Sequence, residues 1–73
     1  MPNIPVVSAK EFLRMLLRYG CILISIQGSH FKVENPANKL RATVPVHANK
    51  DISKGFAKAI LDQLDINVDD FFS

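Results

Sequence analysis

The sequence predicts an α+β domain in which a three-stranded antiparallel sheet carries two helices on one face and leaves the other face to solvent. Three observations lead there. Helical periodicity brackets the chain, three short alternating segments lie between the helices, and the turns joining those segments are too short for crossover helices. The expected order is α-β-β-β-α with a short C-terminal turn, all within one domain spanning residues 1–73.

The first helix begins at Ser8. Glu11, three residues on, completes a capping-box pattern, and Val7 and Phe12 stand at the positions of a hydrophobic staple. Ala9, Phe12, Leu13, Leu16 and Leu17 recur at helical spacing and form the stripe expected to be buried. Gly20 supplies the stop, so a helix over residues 9–19 is predicted. The next segment, CILISIQ, alternates with Ile22, Ile24 and Ile26 on one face and Leu23, Ser25 and Gln27 on the other. Gly28 and Ser29 turn the chain into HFKVE, where Phe31 and Val33 point inward and His30, Lys32 and Glu34 outward.

Asn35, Pro36, Ala37 and Asn38 form a loop of turn formers. The third strand, KLRATVPVH, buries Leu40, Ala42, Val44 and Val46 and shows Arg41, Thr43 and His47. Pro45 has no N–H to donate, which marks an edge strand or a bulge. The second helix runs from Ile52 or Ser53 to Leu64, with Phe56, Ala57, Ile60, Leu61 and Leu64 as its apolar stripe. Asn67 caps the final turn, Asp70 takes the box position, and Phe71 and Phe72 are available to pack.

Composition excludes several chemistries. A chain of 73 residues has little room for a buried cofactor pocket, and no cofactor is expected. One cysteine cannot form an internal disulfide, and two histidines with that single cysteine do not make a zinc site, so no metal is expected either. Gly20, Gly28 and Gly55 are too scattered for a phosphate-binding loop. Cys21 opens a strand with no helix N-terminus to lower its pKa, which argues against a thiol nucleophile. The first ten residues lack a basic stretch followed by a long apolar run, and the longest apolar run, Cys21 to Ile24, falls far short of the ~20 residues of a membrane span. A soluble, cytoplasmic protein with no membrane partner is expected.

Charge is segregated. All nine Lys and Arg lie in residues 1–61 beside three carboxylates, an excess of six positive charges, while Asp62, Asp65, Asp69 and Asp70 make the tail acidic. A basic body favours an anionic partner. The alternation places His30, Lys32, Arg41, Thr43 and His47 on the uncovered sheet face, with Ser25 and Gln27 beside them. Histidine titrates near neutrality and moves protons between hydroxyls and water. RNA carries its own nucleophile, the 2′-hydroxyl, so cleaving it requires a base, an acid and cations for the developing charge. His30 with Lys32 and Arg41 suits that chemistry without a deep pocket. Lys54 and Lys58, one turn apart at the positive end of the second helix, are further candidates for phosphate. The same surface without cleavage would make a non-catalytic RNA-binding module.

Two stretches together resemble a known family. Gly28-Ser29-His30-Phe31, and Val44-Pro45-Val46-His47 followed by Lys50-Asp51-Ile52 and Lys54-Gly55, resemble the HicA toxins, which are messenger-RNA interferases. IPVVSAKEFLRMLLRYG is similar to the family's first helix, and AILDQLDINVDDFF to its last helix and tail. The resemblance implies a double-stranded-RNA-binding-domain-like fold and a metal-independent endoribonuclease that cleaves messenger RNA. It also implies a HicB-type antitoxin as protein partner. His30 matches the family's catalytic histidine, with Gly28, Ser29 and Lys32 as its supports. Two departures stand out: Cys21 occupies a place where members commonly have an aromatic, and Ser25 and Ile26 stand where they often carry Arg-Gln.

Overall fold

The structure is a computed structural model describing residues 4–47 and 50–73. Its first element is one the periodicity did not predict. Val7–Ser8 (β1) pairs antiparallel with Asp51–Ile52 (β5), with Val7 opposite Ile52 and Ser8 opposite Asp51. Two-residue strands are too short to leave an alternation signal. This small ladder precedes both long helices, Ala9–Tyr19 (α1) and Lys54–Gln63 (α2), and so holds their N-termini side by side. The Ala9 N–H donates to the Lys50 carbonyl at 3.0 Å, which ties the two helix starts further.

Both helices start on serine caps. The Ser8 hydroxyl accepts from the Glu11 N–H at 3.1 Å, and the Ser53 hydroxyl from the Phe56 N–H at 3.2 Å. The reciprocal half of the box at Ser8 does not form. Glu11 turns its carboxylate to Arg18 and Arg14 instead, at 3.1 and 3.6 Å. The helix stops at Gly20, whose φ of 125° falls in a region that L-residues with a Cβ rarely enter.

The main sheet runs in the order β2 (Ile22–Gln27), β3 (His30–Asn35), β4 (Leu40–Pro45), antiparallel throughout. Together with α1 and α2 it makes the expected α-β-β-β-α arrangement, consistent with a double-stranded-RNA-binding-domain-like fold. Val33, Ala42 and Val44 are buried with Phe12, Leu16, Ile60, Leu61 and Leu64. The last helix, Val68–Phe72 (α3), is capped by Asn67 and docks Phe71 edge-on against Phe12, with ring centroids 5.6 Å apart. At the far end of the β3–β4 hairpin, the Asn35 and Asn38 amides both donate to the Leu64 carbonyl, at 2.9 and 3.0 Å. A carbonyl at the end of α2 is thereby satisfied by the loop.

Four expectations need correction. In β2, Leu23 lies opposite Val33 but Ser25 lies opposite Lys32, so Ile24 is an extra residue in a β-bulge. The bulge resets the alternation, and Leu23 and Ile26 share the core-side face with Val33 and Phe31 while Ile22 joins the other face. Second, every residue of β2 is exposed, including Ile26 at 53%. The helices pack on β4 and the strand is held chiefly by β3, so the cover stops short of this edge. Third, Leu17, Leu40 and Phe56 are exposed rather than buried. Leu17 sits at the margin of the α1 stripe, Leu40 at the end of the sheet, and Phe56 in the first turn of α2, all beyond the reach of a small core. Fourth, β4 ends at Pro45, leaving Val46 and His47 outside the strand.

Candidate active site on the open sheet face

The position of His30 is set by a two-residue turn. Gln27 and His30 are paired across β2 and β3, and Gly28 and Ser29 make the reversal. Gly28 has a φ of 60°, and Ser29 is not among the residues with positive φ. Positive φ at the first central position alone is the type II′ pattern, which matches the strand twist and calls for glycine there. The turn therefore delivers His30 as the first residue of β3, exposed, at the rim of the sheet.

Register defines its surroundings. Gln27, His30 and Pro45 form one row across the three strands, and Ser25, Lys32 and Thr43 form the next. Both rows face away from buried Val33 and Val44, so the open face predicted from alternation exists and holds His30 and Lys32 together. Two residues along a strand is about 7 Å, close enough for one phosphate to lie between the imidazole and the ammonium. Ser29 sits in the turn, with its carbonyl accepting the Val46 N–H at 2.7 Å. That bond fixes the chain leaving β4 against the turn carrying His30.

The remaining predicted residues divide. Arg41 lies in the row of Ile22 and Glu34, four residues along β3 from His30, or about 13 Å. Its Nε donates to Glu34 Oε1 at 2.9 Å, and Glu34 is only 7% exposed. Much of the Arg41 charge thus serves a carboxylate within the protein. Lys58 pairs with Asp62 one turn along α2, at 2.9 Å, in an exposed contact of modest strength. Among the described residues no ion pair engages Lys32, Lys54 or Lys50. β4 ends at Pro45, so His47 lies beyond the strand, whereas the expected longer third strand would hold it.

His47 instead helps line a cleft of about 270 Å³ between the end of β4 and the start of α2. Pro45, Lys50, Asp51, Ser53 and Phe56 share that lining. Sequence reasoning missed Lys50 and Phe56 as surface groups near the site. The helical spacing assigned Phe56 to the core, and nothing in the sequence marks its position at the open end of the stripe. A second hollow, near 310 Å³, lies between α1 and α3 around Tyr19 and Phe71 and involves none of the predicted site residues. Among the described residues no three of His, Cys, Asp and Glu converge as a metal site requires. Cys21 is buried, and burial pushes its thiol pKa up, which leaves it a poor nucleophile. No described helix is long and apolar enough to cross a membrane.

Residues 9–66, running from the start of α1 past the end of α2, match the family profile described as the HicA toxin of bacterial toxin-antitoxin. That family is the toxin half of a bacterial toxin–antitoxin pair. No curated protein and no solved structure matches the chain significantly. On the profile match, which covers well over half of the sequence, the chain belongs to the HicA family.

Proposed function

We propose that this toxin is a metal-independent endoribonuclease that cleaves messenger RNA on the open sheet face, with His30 as general acid or base. The observation that supports this most directly is the pairing of an exposed, turn-positioned His30 with Lys32 on one face, in a chain that belongs to a toxin family. In the proposed step the 2′-oxygen of a ribose attacks the adjacent phosphorus. The 2′-hydroxyl proton passes to a base, the bond from phosphorus to the 5′-oxygen breaks, and that oxygen takes up a proton. His30 performs one of these transfers. Lys32 offsets the charge that develops on the non-bridging oxygens. Gly28 and Ser29 act by placing His30, and Lys54 extends the positive surface for flanking phosphates.

A HicB-type antitoxin is the proposed protein partner, and covering this face would block RNA access. A small domain also gains stability from any partner that binds only its folded state. One observation favours a second reading, a non-catalytic RNA-binding module. Ser25 lies opposite Lys32 on the open face, at one of the places where similar toxins often carry Arg-Gln, so a cation is missing beside the histidine.

Incubating the purified chain with single-stranded RNA in EDTA separates the two. Cleavage that disappears in His30→Ala, with the circular dichroism spectrum unchanged, is the expected result. Salt-sensitive binding without cleavage establishes the binding module instead. Cleavage that persists in His30→Ala removes this residue from the chemistry.

A further inference from the structure

The cleft beside β4 has the makings of a second contact for RNA. We propose that it binds one unpaired nucleobase, with the Phe56 ring as stacking platform and His47 and Lys50 as contacts for the adjoining phosphate. This subsite rests on the RNA-directed reading above and extends it to a residue that no motif assigns.

Four features carry it. Phe56 is 43% exposed while Ala57, Ile60 and Leu61 on the same helix are buried, so the core does not use the ring. The ring lines a concavity of about 270 Å³, small for a drug-sized ligand but suited to a planar heterocycle. The polar lining is mixed in a way that matches a nucleotide. His47 and Lys50 offer donors to phosphate, and the Asp51 carboxylate accepts from the amino or imino groups of a base edge. Finally, the cleft adjoins the proposed catalytic residue. Pro45 lines it and is the cross-strand partner of His30, and the Val46 N–H is bonded to the Ser29 carbonyl. An RNA strand whose phosphodiester lies at His30 passes over the end of β4 directly into the cleft.

Stacking on an isolated ring needs a base with a free face. In duplex RNA both faces are covered by neighbouring pairs, whereas single strands and loops splay their bases onto aromatic side chains. The cleft therefore selects unpaired RNA, and the preference resides in Phe56 rather than in the sheet face.

The test uses the full chain carrying His30→Ala, so that RNA survives the titration. Binding of a short single-stranded RNA is followed by fluorescence anisotropy, and stacking by upfield ring-current shifts of base protons. Phe56→Leu is expected to weaken binding about tenfold, the loss of one base–aromatic stack, and to abolish the upfield shifts. Phe56→Trp restores both. A duplex of the same sequence should bind more weakly and show no dependence on residue 56. Unchanged affinity and shifts in Phe56→Leu overturn the subsite, as does equal dependence on residue 56 for the duplex. These outcomes are independent of cleavage by the parent chain. Phe56-dependent stacking in a chain that never cleaves keeps the subsite and removes the nuclease, whereas a cleaving chain indifferent to Phe56→Leu does the reverse.

Discussion

Replacing Gly28 tests whether this glycine serves the turn or the RNA. Its φ of 60° is unfavourable for an L-residue with a Cβ, yet a Cβ there meets nothing within 4 Å among the described residues. Strain and crowding are thus separated at this position, and only strain opposes L-alanine. That strain is about 1–2 kcal/mol, which for a domain of this size lowers Tm by about 4–8 °C per kcal/mol. D-alanine adds the same atoms with the opposite handedness and fits a positive φ. Either alanine restricts the unfolded chain, a gain over glycine of roughly 0.4–1 kcal/mol that is the same for both. Cys21 lies seven residues upstream and offers a ligation point for assembling both versions chemically.

Thermal unfolding by circular dichroism should place the variant with D-alanine at this position above the one with L-alanine by about 1–2 kcal/mol in stability, the strain alone, because the unfolded-chain effect is common to both. RNA cleavage should survive the D-alanine replacement, because the turn that positions His30 is intact. Equal stability of the two diastereomers refutes the assignment of strain to this turn. A stable D-alanine variant that no longer binds RNA shows that the glycine is needed for close approach of the ligand instead.

Burial sets two further outcomes. Leu16→Ala should cost about 2–5 kcal/mol by denaturant unfolding, since Leu16 is wholly enclosed, while Ile26→Ala on the exposed edge strand should cost about 1 kcal/mol or less; similar losses at the two sites contradict the observation that the helices stop short of β2. The raised Cys21 pKa predicts slow labelling by a thiol reagent in the native state and fast labelling after unfolding. Its sign also fixes a pH effect. The unfolded thiol ionises first, so the contribution to stability is complete below the unfolded pKa and is lost as pH rises from there through the folded one. Cys21→Ser, compared with the parent across the alkaline range, should lack that part of the decline.

Local signals in the sequence were reliable where one short stretch of chain decides the outcome. Ser8 and Asn67 cap helices because their side chains reach N–H groups only three residues away. The alternation of β3 holds from His30 to Val33 in an uninterrupted ladder, while Glu34, expected outward, is buried against Arg41. β2 shows where such reasoning stops. Its run of isoleucines alternates well on paper, but one bulge at Ile24 shifts its partners, and a bulge is a property of two strands together. Likewise the spacing of Arg41 and Lys58 marks them as cations without showing that Glu34 and Asp62 already engage them.

Short-range signals set the order of the main elements, the helix starts and the placement of His30 beside Lys32 on an outward face. These follow from backbone hydrogen bonding and side-chain direction over a few residues, which the chain encodes locally. Packing in three dimensions set how far the helices cover the sheet, joined β1 to β5, and brought Phe56 and His47 to a cleft next to the strand pair of His30. Those outcomes depend on how much surface a core of this size can cover. Periodicity tells which side chains face the same way, but packing alone decides which of them are reached.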